Sequence, residues 1–162
     1  MKNQPSIIEG GFHSDHRGSI NFFNTFDMTQ IKRFYVIENS DTEIKRGWRG
    51  HRIEQRWFFV SKGAFLIQIV KIDDWEEPNP NSPVFECELS NEKGWILHVP
   101  FGYATCIRSL EDEARICVFA DYGIENAELD NYLYPEDYFR ASVTSLLETG
   151  NSGIMNKMNN LI

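Results

Sequence analysis

Long apolar runs are missing from this sequence: none approaches the roughly 20 consecutive residues that a membrane-spanning helix needs. Basic charge is scarce, with 16 Lys and Arg against 24 Asp and Glu in 162 residues, a formal net charge of −8. That balance excludes a general affinity for nucleic acid or an anionic membrane, because phosphate would be repelled over most of the surface. Cysteine is short as well. Cys87, Cys106 and Cys117 are an odd number without CxxC spacing, which argues against a disulfide framework and a thiolate zinc site and leaves them as small buried or half-buried side chains. The opening residues, MKNQPSIIEGGF, hold no cationic start followed by an apolar stretch, so no secretory signal and a cytoplasmic protein are expected. Aromatic residues are plentiful: 12 Phe, 6 Tyr and 4 Trp in a chain that is 41% hydrophobic are the material of a folded core, and the length suits one domain.

Helical periodicity is nearly absent. Short segments rich in β-branched and aromatic residues alternate with polar turns such as Ser61-Lys62-Gly63, which predicts strands over 19–25, 33–38, 47–53, 56–60, 64–71, 84–89, 94–99, 104–109 and 114–120. The expected class is all-β, since nine short strands need two packed sheets or a closed barrel to bury their apolar faces. Residues 124–138 read as a loop or a short helical turn. Residues 1–140 are expected to form the domain. Residues 141–162 read as a tail that opens with a short helix, SVTSLLE, and decays into Gly and Asn, either disordered or an oligomer arm.

The basic charge gathers in one place. Lys45, Arg46, Arg49, Arg52 and Arg56 lie close together with His51, and Glu54 is the one acid among them. Such an island is an anion site in outline; its bland alternative is a soluble sheet edge whose arginines pair with surplus carboxylates. Within the strand, Arg49, His51 and Ile53 are two apart and share a face. If that face is interior, they are ligand-binding groups. His98 sits in an expected strand as a hydrogen-bonded structural residue, and His13 and His16 lie in a polar turn with Asp15.

A second cluster, GWILHVPFGYATCIRS, runs strand, Pro-x-Gly turn, strand. Its spacing, Gly94, Pro100, Gly102 and Thr105, resembles the second motif of the cupin superfamily, with Thr105 at the metal-binding histidine. The first cupin motif lies over the basic island and ends at Gly63, with Glu43 in place of its opening glycine. Arg49 and His51 then stand at the two histidines of HxH, and Arg56 at the motif's glutamate. Two guanidinium groups repel a divalent ion and threonine is a poor ligand, so no bound metal and no cofactor are expected.

More narrowly, Asp15-His16-Arg17-Gly18, Glu38-Asn39-Ser40, Arg46-Gly47-Trp48 and Pro100-Phe101-Gly102-Tyr103-Ala104 resemble the sugar-nucleotide cupins, the dTDP-4-dehydrorhamnose 3,5-epimerases and dTDP-sugar 3,4-ketoisomerases, across 11–139. The resemblance implies a double-stranded β-helix, a jelly-roll-like barrel, that dimerises and holds a thymidine-diphospho-sugar through arginines. On that overlay Arg17, Asn39, Arg46, Arg49, Arg56 and Thr105 bind the ligand. Moving a ketone or inverting a carbon beside it requires a base and a proton donor. The family's principal base falls on Arg49, which leaves His51 as the base and Tyr103, Tyr35 or Tyr122 as the acid. Three functions stay open: an isomerase acting on a dTDP-4-keto-6-deoxyhexose in polysaccharide biosynthesis, a catalytically silent cupin that binds an anionic sugar or nucleotide sugar as a regulator or partner, and an unrelated cupin activity on a small carboxylate or a transferase-associated domain.

Overall fold

The computed structural model describes residues 3–141 and 143–145. Thirteen strands follow one another: β1 Ser6–Glu9, β2 Gly11–Asp15, β3 Gly18–Phe22, β4 Arg33–Glu38, β5 Lys45–His51, β6 Arg56–Lys62, β7 Ala64–Lys71, β8 Val84–Ser90, β9 Trp95–Val99, β10 Tyr103–Ser109, β11 Arg115–Ala120, β12 Tyr132–Leu133 and β13 Val143–Ser145. A 3-10 helix, Ile124–Asp130, interrupts them before β12. The architecture is all-β, as the alternation predicts. One sheet has the order β1-β9-β6-β11-β4, a second β12-β5-β10-β7-β8-β13, and β2 and β3 form a separate hairpin. Neither large sheet closes on itself.

The two sheets face each other across one apolar layer. Phe65, Ile67 and Ile69 of β7 alternate inward with Phe85, Cys87 and Leu89 of β8 to meet Phe58 and Val60 of β6, Leu97 of β9 and Ile116 and Val118 of β11. These inward residues recur with the period of 2 that a strand imposes. The opposite face of the six-stranded sheet is covered too. Trp48, Val70, Ala104 and Cys106 pack there under Phe139, with Trp75, Tyr134 and Tyr138 against them, so the chain after β12 folds back as a lid over β5 and β10.

Two differences from the sequence-based expectation concern the ends. Val143–Ser145 is not helical: it runs parallel to β8, with Val143 opposite Val84. The reason is local and tertiary at once, since β-branched Val143 and Thr144 suit a strand and β8 would otherwise present an unpaired edge. The remainder of the expected helix, and the tail after it, lie outside the described residues. The segments β1, β2 and β12 also form strands where none is expected. All three are at edges or in the hairpin, where exposed polar residues blur the alternation.

Burial of a large side chain in this layer stabilises by about 1.5–3 kcal/mol before any cavity is counted. Phe65 is fully buried at its centre. Phe65→Ala is therefore expected to lower the unfolding free energy by about 3–5 kcal/mol in urea titration, with an unchanged m-value.

Candidate binding and active site

An irregularity in β5 shapes the site. Thr105 of β10 pairs with Arg49, but Ile107 pairs with Arg46, so three steps along β5 match two along β10. The extra residue is a bulge. At Gly47, φ is +154°, and a Cβ there would lie 2.6 Å from the Cys106 Cα and the Thr105 carbonyl oxygen, so only glycine allows the two strands to approach this closely. The bulge turns Arg46 and Arg49, three apart in sequence, onto the same side, while Trp48 goes to the opposite face.

That side is a cavity of about 480 Å³ lined by Tyr35, Ile37, Lys45, Arg46, Gly47, Arg49, Arg56, Phe58, Thr105, Ile107, Val118 and Leu133. Among the described residues four cations and no carboxylate line it, in a chain of net charge −8. Each cation is held differently. Arg46 donates from Nε to the Asn39 side-chain oxygen at 2.7 Å, and the Asn39 amide donates to the Ile44 carbonyl at 3.1 Å. Arg56 donates from Nε to Glu54 Oε1 at 2.6 Å. Arg49 has no hydrogen-bond or ion-pair partner among the described residues and projects beside Thr105. What this arrangement can do is receive an anion: guanidinium groups with free Nη atoms, on an apolar floor, make strong charge-assisted bonds to phosphate.

Behind this wall lies a buried polar network. The carboxylate of Asp130, at the end of the 3-10 helix, accepts the backbone N–H groups of Arg52 at 2.7 Å, Ile53 at 3.0 Å and Glu54 at 2.7 Å, which fixes the loop between β5 and β6. The carbonyl of Asp130 lies 2.7 Å from His51 Nδ1. A carbonyl only accepts, so Nδ1 carries the proton and Nε2 carries the lone pair. Nε2 is buried without a hydrogen-bond partner among the described residues, 3.8 Å from Glu54 Oε1. Burial and the positive charge of Arg56 hold the His51 pKa down at about 3, so the ring is neutral.

The residues expected at the site thus separate into groups. Arg46, Arg49, Arg56 and Thr105 come together at the cavity. Asn39 is buried just behind it and engages Arg46 instead of lining the wall. His51 keeps the inward side of β5, since Gly50 faces Trp75 and Tyr134 on the other, but the loop and Asp130 draw its ring away from the cavity lining. Tyr103 is in the core, its hydroxyl donating to the Asn3 carbonyl at 3.1 Å, and burial pushes its pKa up to about 12. Arg17 sits at the tip of the β2–β3 hairpin, 74% exposed, forked onto Asp15 and away from its own chain's cavity. Ile53 is exposed beyond the strand end. Lys45, read as part of the basic island but not among the overlay's binding residues, is a wall residue, and Glu54 is an anchor that sequence reasoning missed. His98 is structural, stacked on Trp57 and 3.0 Å from the Gln55 side-chain oxygen.

Compared by sequence, the chain matches no protein-family model and no curated protein. Compared by structure, it is similar to sugar-nucleotide enzymes. A double mutant of the QdtA 3,4-ketoisomerase from Thermoanaerobacterium thermosaccharolyticum, in complex with TDP, is 22% identical, with 86% of this chain and 94% of that chain covered and a TM-score of 0.62. The dTDP-4-dehydrorhamnose 3,5-epimerase from Sulfolobus tokodaii is 17% identical over 87% of this chain and 84% of its own, at a TM-score of 0.66. ChmJ, a 3'-monoepimerase from Streptomyces bikiniensis in complex with dTDP-quinovose, is 17% identical over 97% and 88%, at 0.67. At such identities the likeness is one of fold: the chain shares the fold of dTDP-sugar epimerases and ketoisomerases, as the motif resemblance implies.

The state of His51 has a measurable consequence. Its folded pKa lies below the unfolded value near 6.5, so its contribution to stability is fully present above that pH and is lost as pH falls towards about 3, where the unfolded chain binds a proton that the folded chain does not. Between pH 6 and pH 5 the wild type is expected to lose about 1 kcal/mol more unfolding free energy than His51→Gln, in parallel urea titrations. Equal pH slopes in the two proteins would contradict this environment for the ring.

Proposed function

We propose that this chain is a sugar-nucleotide epimerase or ketoisomerase-like protein, a double-stranded β-helix whose arginine-lined cavity holds the diphosphate of a dTDP-4-keto-6-deoxyhexose. The observation that carries the reading is the gathering of Lys45, Arg46, Arg49 and Arg56 at one cavity in an acidic chain. A diphosphate brings the opposite charge and the planar geometry that guanidinium forks match. The solved structures of the same fold include one with TDP and one with dTDP-quinovose, which supports this ligand class.

For turnover, the proton on the carbon beside the ketone passes to a base while its electron pair moves onto the carbonyl oxygen. Arg49, without a partner of its own among the described residues, stabilises that oxyanion. For His51 to be the base, the reacting carbon has to reach Nε2, which is buried beside Glu54 behind the cavity lining. Tyr35, whose side chain lines the cavity, is the proton donor in preference to Tyr103, which is committed to Asn3. A base of pKa about 3 is weak, and the bound diphosphate offsets the Arg56 and Arg49 charges that contribute to that depression.

One observation favours the second reading, a catalytically silent binder. No histidine is among the described residues that line the cavity. Titration calorimetry and exchange separate the cases. dTDP is expected to bind and thymidine to bind far more weakly, while Arg46→Ala or Arg49→Ala lowers dTDP affinity by about tenfold to a hundredfold. Incorporation of deuterium into a dTDP-4-keto-6-deoxyhexose, followed by NMR and abolished by His51→Asn, identifies an isomerase. Binding without exchange identifies the silent protein. Equal affinity for thymidine and dTDP would remove both.

The reading extends to assembly and compartment. The chain forms a homodimer: Phe12, Ile20 and Phe22 on the hairpin, with Phe34 and Val36 on the open edge strand β4, present exposed apolar surface that a second copy would cover. In such a dimer the hairpin tip would carry Arg17 to the neighbouring copy's ligand. Three free thiols suit the reducing cytoplasm. Sedimentation at micromolar concentration is expected to give a species of twice 18.9 kDa; a monomer would refute the dimer and with it the role of Arg17.

A further inference from the structure

Glu54 holds Arg56 at the cavity, and the rest of its surroundings are unusual. Arg33 of β4 and Arg56 of β6 both stand opposite Ala120 of β11, so the two arginines lie on one row, two strands apart. That separation is about 10 Å between backbones, too far for one to constrain the other directly. Ala120 is fully buried and its methyl leaves the space between them open. The Glu54 side chain, 1% exposed, fills it: Oε2 accepts from Arg33 Nη2 at 2.9 Å and Oε1 from Arg56 Nε at 2.6 Å. The carboxylate is held from behind, because the Glu54 backbone N–H donates to Asp130 Oδ2.

Both arginines lead to the cavity. Arg56 lines it directly, and with Nε taken by Glu54 its two Nη atoms are left for a ligand. Arg33 donates from Nε to the Tyr122 carbonyl at 3.1 Å, and its guanidinium carbon lies 5.5 Å from the centre of the Tyr35 ring, another wall of the cavity. We propose that Glu54 is a positioning residue: by bridging Arg33 and Arg56 it aims the free end of Arg56 at the anion and sets the Tyr35 wall. The inference rests on the anion-binding reading of the cavity and assigns the group that preorganises it.

The sign of one measurement separates positioning from simple counter-charge. If Glu54 only offsets positive charge, Glu54→Gln makes the cavity more cationic and tightens anion binding, and Glu54→Asp, which keeps the charge, changes nothing. If Glu54 positions, both variants weaken binding, because a glutamine amide accepts from only one arginine and aspartate is too short to reach both. With dTDP as the probe, titration calorimetry is expected to show at least a tenfold loss of affinity in each variant. In an Arg56→Ala background, Glu54→Gln is expected to add less than twofold. A ligand-free readout accompanies this: a 15N spectrum of the wild type is expected to show a slowly exchanging Arg56 Nε–H, absent in Glu54→Gln while the backbone amide dispersion is kept. Tightened or unchanged dTDP binding in the variants, or a rapidly exchanging Arg56 Nε–H in the wild type, overturns the proposal. Failure of the wild type to bind dTDP overturns the functional reading instead, and the Nε–H signal still decides the role of Glu54.

Discussion

Holding guanidinium groups against an apolar layer is the constraint on which the rest of this structure depends. A cation taken out of water loses solvation worth several kcal/mol unless a partner replaces it. Among the cavity's cations Arg56 is the buried one, while Lys45, Arg46 and Arg49 stay exposed, and the anchoring partners engage the arginines at Nε. Glu54 takes Arg56 and the Asn39 amide takes Arg46, so the donors facing the cavity stay free. The anchors must themselves be fixed. Asp130 gathers three successive backbone N–H groups of the loop that carries Glu54, and residue 130 in turn is brought there by the 3-10 helix. The positive charge of Arg56 is therefore maintained by negative charge buried behind the cavity wall.

The bulge in β5 is the backbone half of the same solution. In a regular strand, Arg46 and Arg49 would face opposite sides. The extra residue at Gly47 brings both inward and sends Trp48 outward, where it packs edge-on to Phe139 and donates from its indole nitrogen to the Glu136 carbonyl at 3.1 Å. One local irregularity thus concentrates charge on one face of the sheet and seals the other with aromatic rings. It also explains why fold similarity alone does not carry function here. A sandwich of this kind accepts many linings, and the chemistry belongs to the side chains placed on it.

His51 shows how far environment outweighs residue type. Exposed, an imidazole titrates near neutrality and serves as a general base. Enclosed beneath the β5–β6 loop, with its Nδ1 proton given to the Asp130 carbonyl, it is a neutral ring with one unsatisfied lone pair. The same burial that fixes its tautomer weakens it as a base.

Much of this was legible in the chain itself. Residues 33–38 and 64–71 read as strands without error of boundary because each is a short run of aromatic and aliphatic residues bounded by charged or turn residues. That Arg46, Arg49, Arg56 and Thr105 lie together at one cavity was legible because motif spacing fixes where strands turn and which residues follow the turns. Tertiary structure decided what spacing does not encode. The strand at Val143–Ser145 exists because the edge of β8 is there to pair with. Arg17 left its own cavity because a hairpin bonded to neither sheet carries it elsewhere. Tyr103 turned to Asn3, 100 residues away in sequence, and His51 to Asp130, 79 away. Glu54 became an anchor only when β4 and β6 set two arginines on one row across the small side chain of Ala120. Local sequence dictates period and turn, whereas the partner of a buried polar group is chosen by the packing of segments distant along the chain.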